Sequence, residues 1–302
     1  MDASLLERAL CIAREDPAPL VAIVGPTASG KTELAVAMAE ALGGEIVSAD
    51  SVQIYRRFDV GSGKPSADER ARAAHHLIGA LGPLEKVDAA SYAELASAAV
   101  ADIRARGKRA IVCGGTFLWV KALVFGLAEA PAADLEVRAR HRRMALEGGR
   151  GAIHAALAKV DPKSAGRLHP NDAVRVSRAL EVFELTGTPM SHIQLEHGFA
   201  RARHPARFLA LAHTPETLTA RIEARVESWL AAGWIDEARA LAVEGYGDAR
   251  AMSSVGYREI TAHLRGEIPR EALPLAIVRA TRVFARRQRT WLNHVPVEWL
   301  GG

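Results

Sequence analysis

Eight residues near the N-terminus, Gly25-Pro26-Thr27-Ala28-Ser29-Gly30-Lys31-Thr32, spell G-x-x-x-x-G-K-T, and the chain on either side has the composition such a loop requires. Leu20 to Val24 is a continuous apolar run, as a strand buried on both faces reads. Glu33 to Leu42 is rich in Ala and other strong helix formers, and Gly43-Gly44 closes it. Strand, glycine loop and helix in that order bring backbone N–H groups and a positive helix end to one point, where a polyphosphate is held. Lys31 adds a full positive charge, and the Thr32 hydroxyl is placed to ligate Mg²⁺.

Glu45 to Ala49 reads as a second strand, parallel to the first because a helix joins them. Asp50 then emerges at the carboxyl edge of the sheet, where open α/β sheets bind ligands. Ser51, Gln53 and Tyr55 alternate behind it and offer a polar face to a substrate; capping of the following turn is the competing role for Asp50. A third strand, Ala110 to Cys113, ends in Gly114-Gly115-Thr116, where an ATP-hydrolysing protein commonly has a magnesium-binding Asp. That absence argues against ATPases and motors, and the glycines predict a turn that a substrate approaches closely. Phe208 to Ala212 is a further strand, and Thr214-Pro215 opens a helix on which Arg221 and Arg225 share a face. Pairing of Arg225 with Glu223 or Glu227 fails on helical geometry, which leaves an anion or solvent as its partner.

The expected fold is α/β: a P-loop NTPase-like parallel sheet core flanked by helices, with an inserted all-helical domain. The core comprises residues 1–127 and 201–302, and the insertion residues 128–200. Within the insertion Asp134 opens a helix carrying Arg138, Arg140, Arg142 and Arg143 that ends at Gly148-Gly149; a short helix follows, then one from Asn171 to Thr186 stopped by Gly187. Arg175 and Arg178 project together at i, i+3 and suit a phosphate grip, with a solvated basic face as the alternative. The C-terminal helix repeats the theme with Arg279, Arg282, Arg286 and Arg289 beside an apolar side of Val283, Trp291 and Leu292. A net charge of +4 and a pI near 9.3 permit a nucleic-acid partner. Cys11 and Cys113, the 2 cysteines, form neither a disulfide framework nor a zinc cluster, which points to a reducing, cytoplasmic setting. The acidic N-terminus and the lack of a long apolar run predict no signal peptide and no membrane segment.

The loop, Ser48-Ala49-Asp50-Ser51, Gly114-Gly115-Thr116, His169-Pro170-Asn171-Asp172, Val255-Gly256-Tyr257-Arg258 and Arg286-Arg287-Gln288-Arg289-Thr290-Trp291 together resemble the tRNA dimethylallyltransferase (tRNA isopentenyltransferase) family, in its order, from about residue 21 to about residue 292. The resemblance implies transfer of a dimethylallyl group from dimethylallyl diphosphate to N6 of adenosine 37, beside the anticodon of tRNAs reading codons that begin with U. Gly25 to Thr32 would hold the diphosphate, with Mg²⁺ on Thr32. Asp50 would be the catalytic base, Thr27 and Lys31 would act at the diphosphate, and Arg225 would bind it. The anticodon stem-loop would meet Asp50, Ser51, Val52, Gln53, Thr116, Arg138, Val174, Arg175, Val176, Ser177, Arg178, Ser253, Ser254, Val255, Gly256, Tyr257 and Arg258. Adenosine 37 would have to be flipped from its stack, with Gln53 suited to its edge or left facing solvent.

Gly79 and Gly82 stand where the family commonly has Asp, and no C-x-x-C follows the core, so a bacterial-type monomer without a zinc finger is expected. Gly61-Ser62-Gly63-Lys64 is a decoy without the first glycine of a phosphate loop. A small-molecule kinase, a prenyltransferase of free adenine nucleotides and a nucleotide-switched RNA-binding module are the competing classes. The first two leave the basic insertion without a task, and the last does so for Asp50.

Overall fold

Among the described residues six strands form one parallel sheet in the order β3-β2-β4-β1-β5-β6: β1 Leu20–Val24, β2 Gly44–Ser48, β3 His75–His76, β4 Arg109–Gly114, β5 Ala206–Leu211 and β6 Val297–Leu300. This computed structural model describes residues 2–16, 19–293 and 295–301. β1 is buried throughout and lies between β4 and β5, with Val21 opposite Ile111 and Ala22 opposite Phe208. A strand paired on both sides and covered on both faces has no use for polar residues, hence its unbroken apolar sequence.

The helix Lys31–Leu42 starts after Gly30 (φ 91°) and stops at Gly43 (φ 60°), two left-handed positions that a Cβ disfavours. Its Leu34, Val36, Met38 and Ala39 join a core with Val21, Ile23, Ile46, Ile111 and Leu209. Burial of each larger side chain contributes roughly 1.5–3 kcal/mol, so the helix start, and the loop before it, are fixed to the sheet.

β2 is parallel to β1, but β4 lies between them. The crossover skips a strand position, and the carboxyl ends of β1, β4 and β2 therefore stand side by side. The phosphate loop, the Gly114 turn and Asp50 follow these three ends in that order. The edge strands β3 and β6 lack enough residues for a readable alternation, and short edges offer little template for further pairing.

The chain divides into two compact units, Met1–Phe125 with Ala202–Gly302, and Gly126–Arg201. The first holds the sheet. The second contains, among its described residues, the helices Leu135–Gly148, Arg150–Val160, Pro162–Arg167, Ala173–Thr186 and Met190–His197. Ile153, Leu157, Ala165, Val176, Ala179 and Leu180 make its core. No helix among the described residues is long and apolar enough to cross a membrane.

Candidate active site

The phosphate loop is held from outside by three elements distant in sequence. Ala28 sits at φ 65°, a left-handed position that costs a residue with a Cβ about 1–2 kcal/mol. The Thr27 N–H donates to Gln288 Oε1 at 2.8 Å, Arg221 Nε donates to the Ala28 carbonyl at 2.7 Å, and His213 Nε2 meets the Ser29 carbonyl at 2.8 Å. These bonds offset the strain and leave one loop shape. The Ser29 hydroxyl is buried without a partner among the described residues. In a concave cradle of N–H groups an unpaired buried hydroxyl is a donor available to an anion.

Lys31 Nζ donates to the Pro26 carbonyl at 2.6 Å. Burial lowers its pKa to about 8, Arg225 contributing in the same direction, while Cys113 and Asp50 oppose the shift. Arg225 Nη1 donates to Thr27 Oγ1 at 3.0 Å, and its guanidinium lies 5.2 Å from the Trp229 ring centre. Burial first, and Arg221 second, depress the pKa of Arg225, against the attraction of Asp50. Two cations, each destabilised by burial and by a neighbouring arginine, make this cleft a place where an anion is favoured. Burial pushes the Cys113 thiol up to about 11, too high for a thiolate nucleophile at neutral pH.

Asp50 both caps a turn and borders the cavity. Its Oδ1 accepts from Val52 N at 2.8 Å and Gln53 N at 3.2 Å, while Oδ2 makes no hydrogen bond among the described residues. The Ser51 N–H donates to Thr116 Oγ1 at 3.0 Å, and Thr116 N donates to the Ala49 carbonyl at 3.1 Å. The turns after β2 and β4 are thereby tied together.

Three expectations for this edge need correction. Residues 51–54 form turns rather than an alternating strand, and Tyr55 is fully buried and adds nothing to a polar face, while Ser51 and Gln53 border the cavities beside Asp50. Both ends of the Gln53 amide are engaged: Nε2 donates to the carbonyls of Ser62 and Gly63 and Oε1 accepts from Ser48 Oγ, which leaves its amide braced instead of facing a base. Gly114, which ends β4, and Gly115 line the polar cavity, but the space they leave is taken by the protein's own chain. A Cβ on Gly114 would overlap the Ala49 carbonyl, and one on Gly115 the Gln288 amide.

Two cavities meet at this point. One, of about 380 Å³, is lined by the loop residues Thr27 to Thr32, Glu33, Asp50, Lys64, Arg221 and Arg225 and is largely polar. The other, of about 340 Å³, has an apolar wall of Val52, Ile222, Val226, Trp229, Trp234 and Val255. Thr27, Asp50 and Arg225 border both. Both volumes are ordinary for small-ligand sites. The Gly61–Lys64 segment is part of their wall: a Cβ on Gly61 or Gly256 would overlap the indole of Trp234, which lies between the two backbones. Lys64 donates to the Tyr55 carbonyl at 2.6 Å and Asp59 Oδ1 at 2.7 Å.

The 253–258 segment divides. Ser253, Ser254 and Val255 line the apolar cavity, and Arg258 is exposed beside Glu259. Tyr257 is fully buried and donates to Glu237 at 2.5 Å, so it is a core residue and not the RNA contact expected.

In the helical unit, Arg138 and Arg178 are corrected in the same sense. Arg138 Nε and Nη2 donate to Glu181 at 2.9 and 3.0 Å, and Arg178 Nη1 donates to the same carboxylate at 2.7 Å and Nη2 to the Pro131 carbonyl at 2.7 Å. Arg178 and Arg175 therefore do not project together. Arg175 is exposed and lies 3.4 Å from Asp172, Val174 is exposed, Val176 is core, and Ser177 meets His141 Nδ1 at 2.9 Å. Arg142 and Arg143 are exposed, and neither forms an ion pair among the described residues.

The C-terminal helix, Leu273–Leu292, buries Leu273, Ile277, Val278, Ala285, Gln288 and Leu292. Val283 and Trp291, expected on its apolar side, are exposed together with Arg279, Arg282, Arg286 and Arg289. Gln288 escaped the sequence reading, although a signal exists: positions 277, 281, 285, 288 and 292 form one stripe, and a polar residue within it needs a buried partner. His213, Trp229 and Trp234 were also missed, having no local motif.

Among the described residues no group of three or more His, Cys, Asp or Glu could hold a metal. Thr32 and Asp50 are hard oxygen donors on the polar cavity, which fits a Mg²⁺ taking most of its ligands from phosphate oxygens and water.

The family model described as IPP transferase matches residues 53–295, beginning downstream of the phosphate loop. A tRNA dimethylallyltransferase of Sorangium cellulosum is 61% identical over 289 residues, 96% of this chain and 92% of that protein. One of Anaeromyxobacter dehalogenans is 51% identical, with 91% of each chain covered. The crystal structure of the full-length tRNA isopentenylpyrophosphate transferase from Bacillus halodurans superimposes with a TM-score of 0.69 at 35% identity, covering 93% of this chain and 89% of that one. A eukaryotic dimethylallyltransferase captured acting on tRNA gives a TM-score of 0.76 at 25% identity, over 93% of this chain and 73% of its own. With its phosphate loop, its Asp50 turn and matches of this length and identity, this chain belongs to the IPP transferase family.

Proposed function

We propose that this transferase moves the dimethylallyl group of dimethylallyl diphosphate to N6 of adenosine 37, next to the anticodon, in tRNAs that read codons starting with U. The observation that carries the reading is the meeting of a polar, loop-lined cavity with an apolar one at Thr27, Asp50 and Arg225. The diphosphate fits the first and the prenyl group the second, with the scissile C–O bond at their junction. N6 of the flipped base enters beside Asp50 and attacks the allylic carbon. The C–N bond forms as the C–O bond breaks, its electron pair leaving with the diphosphate, and the N6 proton passes to Asp50 Oδ2. Lys31, Arg225, Thr27 and the loop N–H groups stabilise charge developing on the leaving oxygen, a preorganised electrostatic effect. Thr32 would hold a Mg²⁺ ion, which would supply further neutralisation of that charge when bound.

The turn that Asp50 Oδ1 caps fixes where Oδ2 stands, which is the positional control a base requires. Exposed arginines, Arg175 in the helical unit and the stripe on the C-terminal helix, suit the phosphates of an anticodon stem-loop.

Incubation with labelled dimethylallyl diphosphate, Mg²⁺ and tRNA, AMP or ATP tests the reading. Label in tRNA, lost when adenosine 37 is replaced by guanosine, is the expected result. Label in AMP alone, or ATP hydrolysis without prenyl transfer, overturns it.

A further inference from the structure

We infer that Gln288 is a positioning residue for the transfer reaction, holding the diphosphate loop and the Asp50 turn in register from the C-terminal helix. The inference rests on the function proposed above and adds a residue to its machinery.

Gln288 is 8% exposed and makes two hydrogen bonds of opposite polarity. Its Oε1 accepts from the Thr27 N–H at 2.8 Å and its Nε2 donates to the Gly115 carbonyl at 2.9 Å. No other natural side chain of this length provides an acceptor and a donor in one rigid plane. One amide therefore joins the loop after β1 to the turn after β4, and Gly115 has no room for a Cβ because that amide occupies the space.

The bond reaches further on both sides. Thr27 is the residue whose hydroxyl accepts from Arg225, so the Gln288 amide sets the height of that hydroxyl over the polar cavity. Gly115 precedes Thr116, whose hydroxyl accepts from Ser51 N and so orients the turn that Asp50 caps. Leaving group and base are thus tied through a single side chain. A further consequence concerns the donors: with the Thr27 N–H engaged by Gln288, the loop presents its remaining N–H groups to the phosphates. Loss of the amide frees that N–H and also releases Ala28 from a strained conformation held partly by its neighbour.

Gln288→Met keeps the length and removes both bonds, and Gln288→Glu keeps the acceptor but removes the donor. We expect Gln288→Met to weaken inorganic pyrophosphate binding about tenfold and to lower turnover at saturating substrates by more than tenfold. Its tRNA affinity should stay within twofold of wild type. Gln288→Glu should retain slow exchange of the Thr27 amide proton, read by NMR, while Gln288→Met exchanges it faster. Ile277→Val, buried in the same helix, controls for general destabilisation: a lower melting temperature with unchanged pyrophosphate affinity is expected. Wild-type pyrophosphate affinity and turnover in Gln288→Met would overturn the inference. If wild type itself fails to label tRNA while Gln288→Met still loses pyrophosphate affinity, the proposed function fails and the role of Gln288 in the loop stands.

Discussion

Arg221 and Arg225, four apart on one helix of the α/β unit, and Arg138 and Arg178, on two helices of the helical unit, are basic pairs that end in opposite circumstances. The first pair converges on loop oxygens, the Ala28 carbonyl and the Thr27 hydroxyl, with no ion pair to a carboxylate among the described residues. The second converges on Glu181, whose side chain is fully buried. The arginines at the phosphate loop therefore have no carboxylate at ion-pair distance among the described residues, whereas those of the helical unit share one buried carboxylate. An arginine is available to a ligand when the fold denies it a carboxylate, a fact about its neighbours more than about its spacing.

The sharpest way to break this comparison is at the loop. Asp50→Asn retains the Oδ1 acceptor that caps the turn and removes the base, so turnover should fall by about 10²–10⁴-fold with tRNA affinity and melting temperature unchanged. Single-turnover kinetics on labelled donor measure it, and unchanged turnover would remove Asp50 from the chemistry.

In the helical unit the expected effect is on stability. Glu181→Gln leaves the partly exposed Arg138 and Arg178 without their anion and should cost about 1–3 kcal/mol in urea unfolding, as lost hydrogen bonds to a charged group do. Burial alone would raise the pKa of Glu181, but the bonds from Arg138 and Arg178 and the Asp134 N–H outweigh it and hold it below the ordinary 4.5. Its stabilisation is thus complete above about pH 4.5 and lost as pH falls through the lowered value. An acid-dependent loss of stability in wild type should be reduced in Glu181→Gln. A fall in turnover without a fall in stability would instead place this cluster in the reaction.

Lys31 sharpens the loop side. With its pKa lowered to about 8, it is charged below that pH and neutral above it in the free protein. Dimethylallyl diphosphate affinity should be flat below about pH 8 and weaken above it by up to about tenfold per pH unit. Calorimetric titration across pH 6–10 reads the slope, and Lys31→Met should lose the part that Lys31 contributes. A slope unchanged in that variant would assign the titration to another group.

The smallest effect concerns the arginine left outside the Glu181 cluster. Arg175→Ala should weaken tRNA binding modestly and reduce the slope of log affinity against log salt by about 0.7–1, the signature of one lost phosphate contact. Fluorescence anisotropy at several salt concentrations measures it. If Arg138→Ala, studied under folded conditions, changes the slope equally, the distinction between the two arginines disappears.

The parts of the fold legible in the sequence were those in which one local pattern forces one backbone conformation. Leu20 to Val24, the glycine loop and Gly43 fix strand, turn and helix within a short stretch, and the expected helix caps at Asp134 and Thr214 accept the bonds their residue types predict. Asp50 was readable because the end of a parallel strand follows from the helix that precedes it. What escaped was non-local. The interposed β4, the amide of Gln288, the indole of Trp234 between Gly61 and Gly256, and the burial of Tyr55 and Tyr257 depend on segments far apart in the chain.

The amino-acid sequence by itself determined the phosphate loop, the parallel strands, the acid at the end of the second strand and the family. These are short-range consequences of glycine freedom, apolar periodicity and residue type. The tertiary structure alone decided which cations stay free, which oxygen of Asp50 remains open and which distant side chain holds the loop, because hydrogen bonds and ion pairs are allotted by proximity in space.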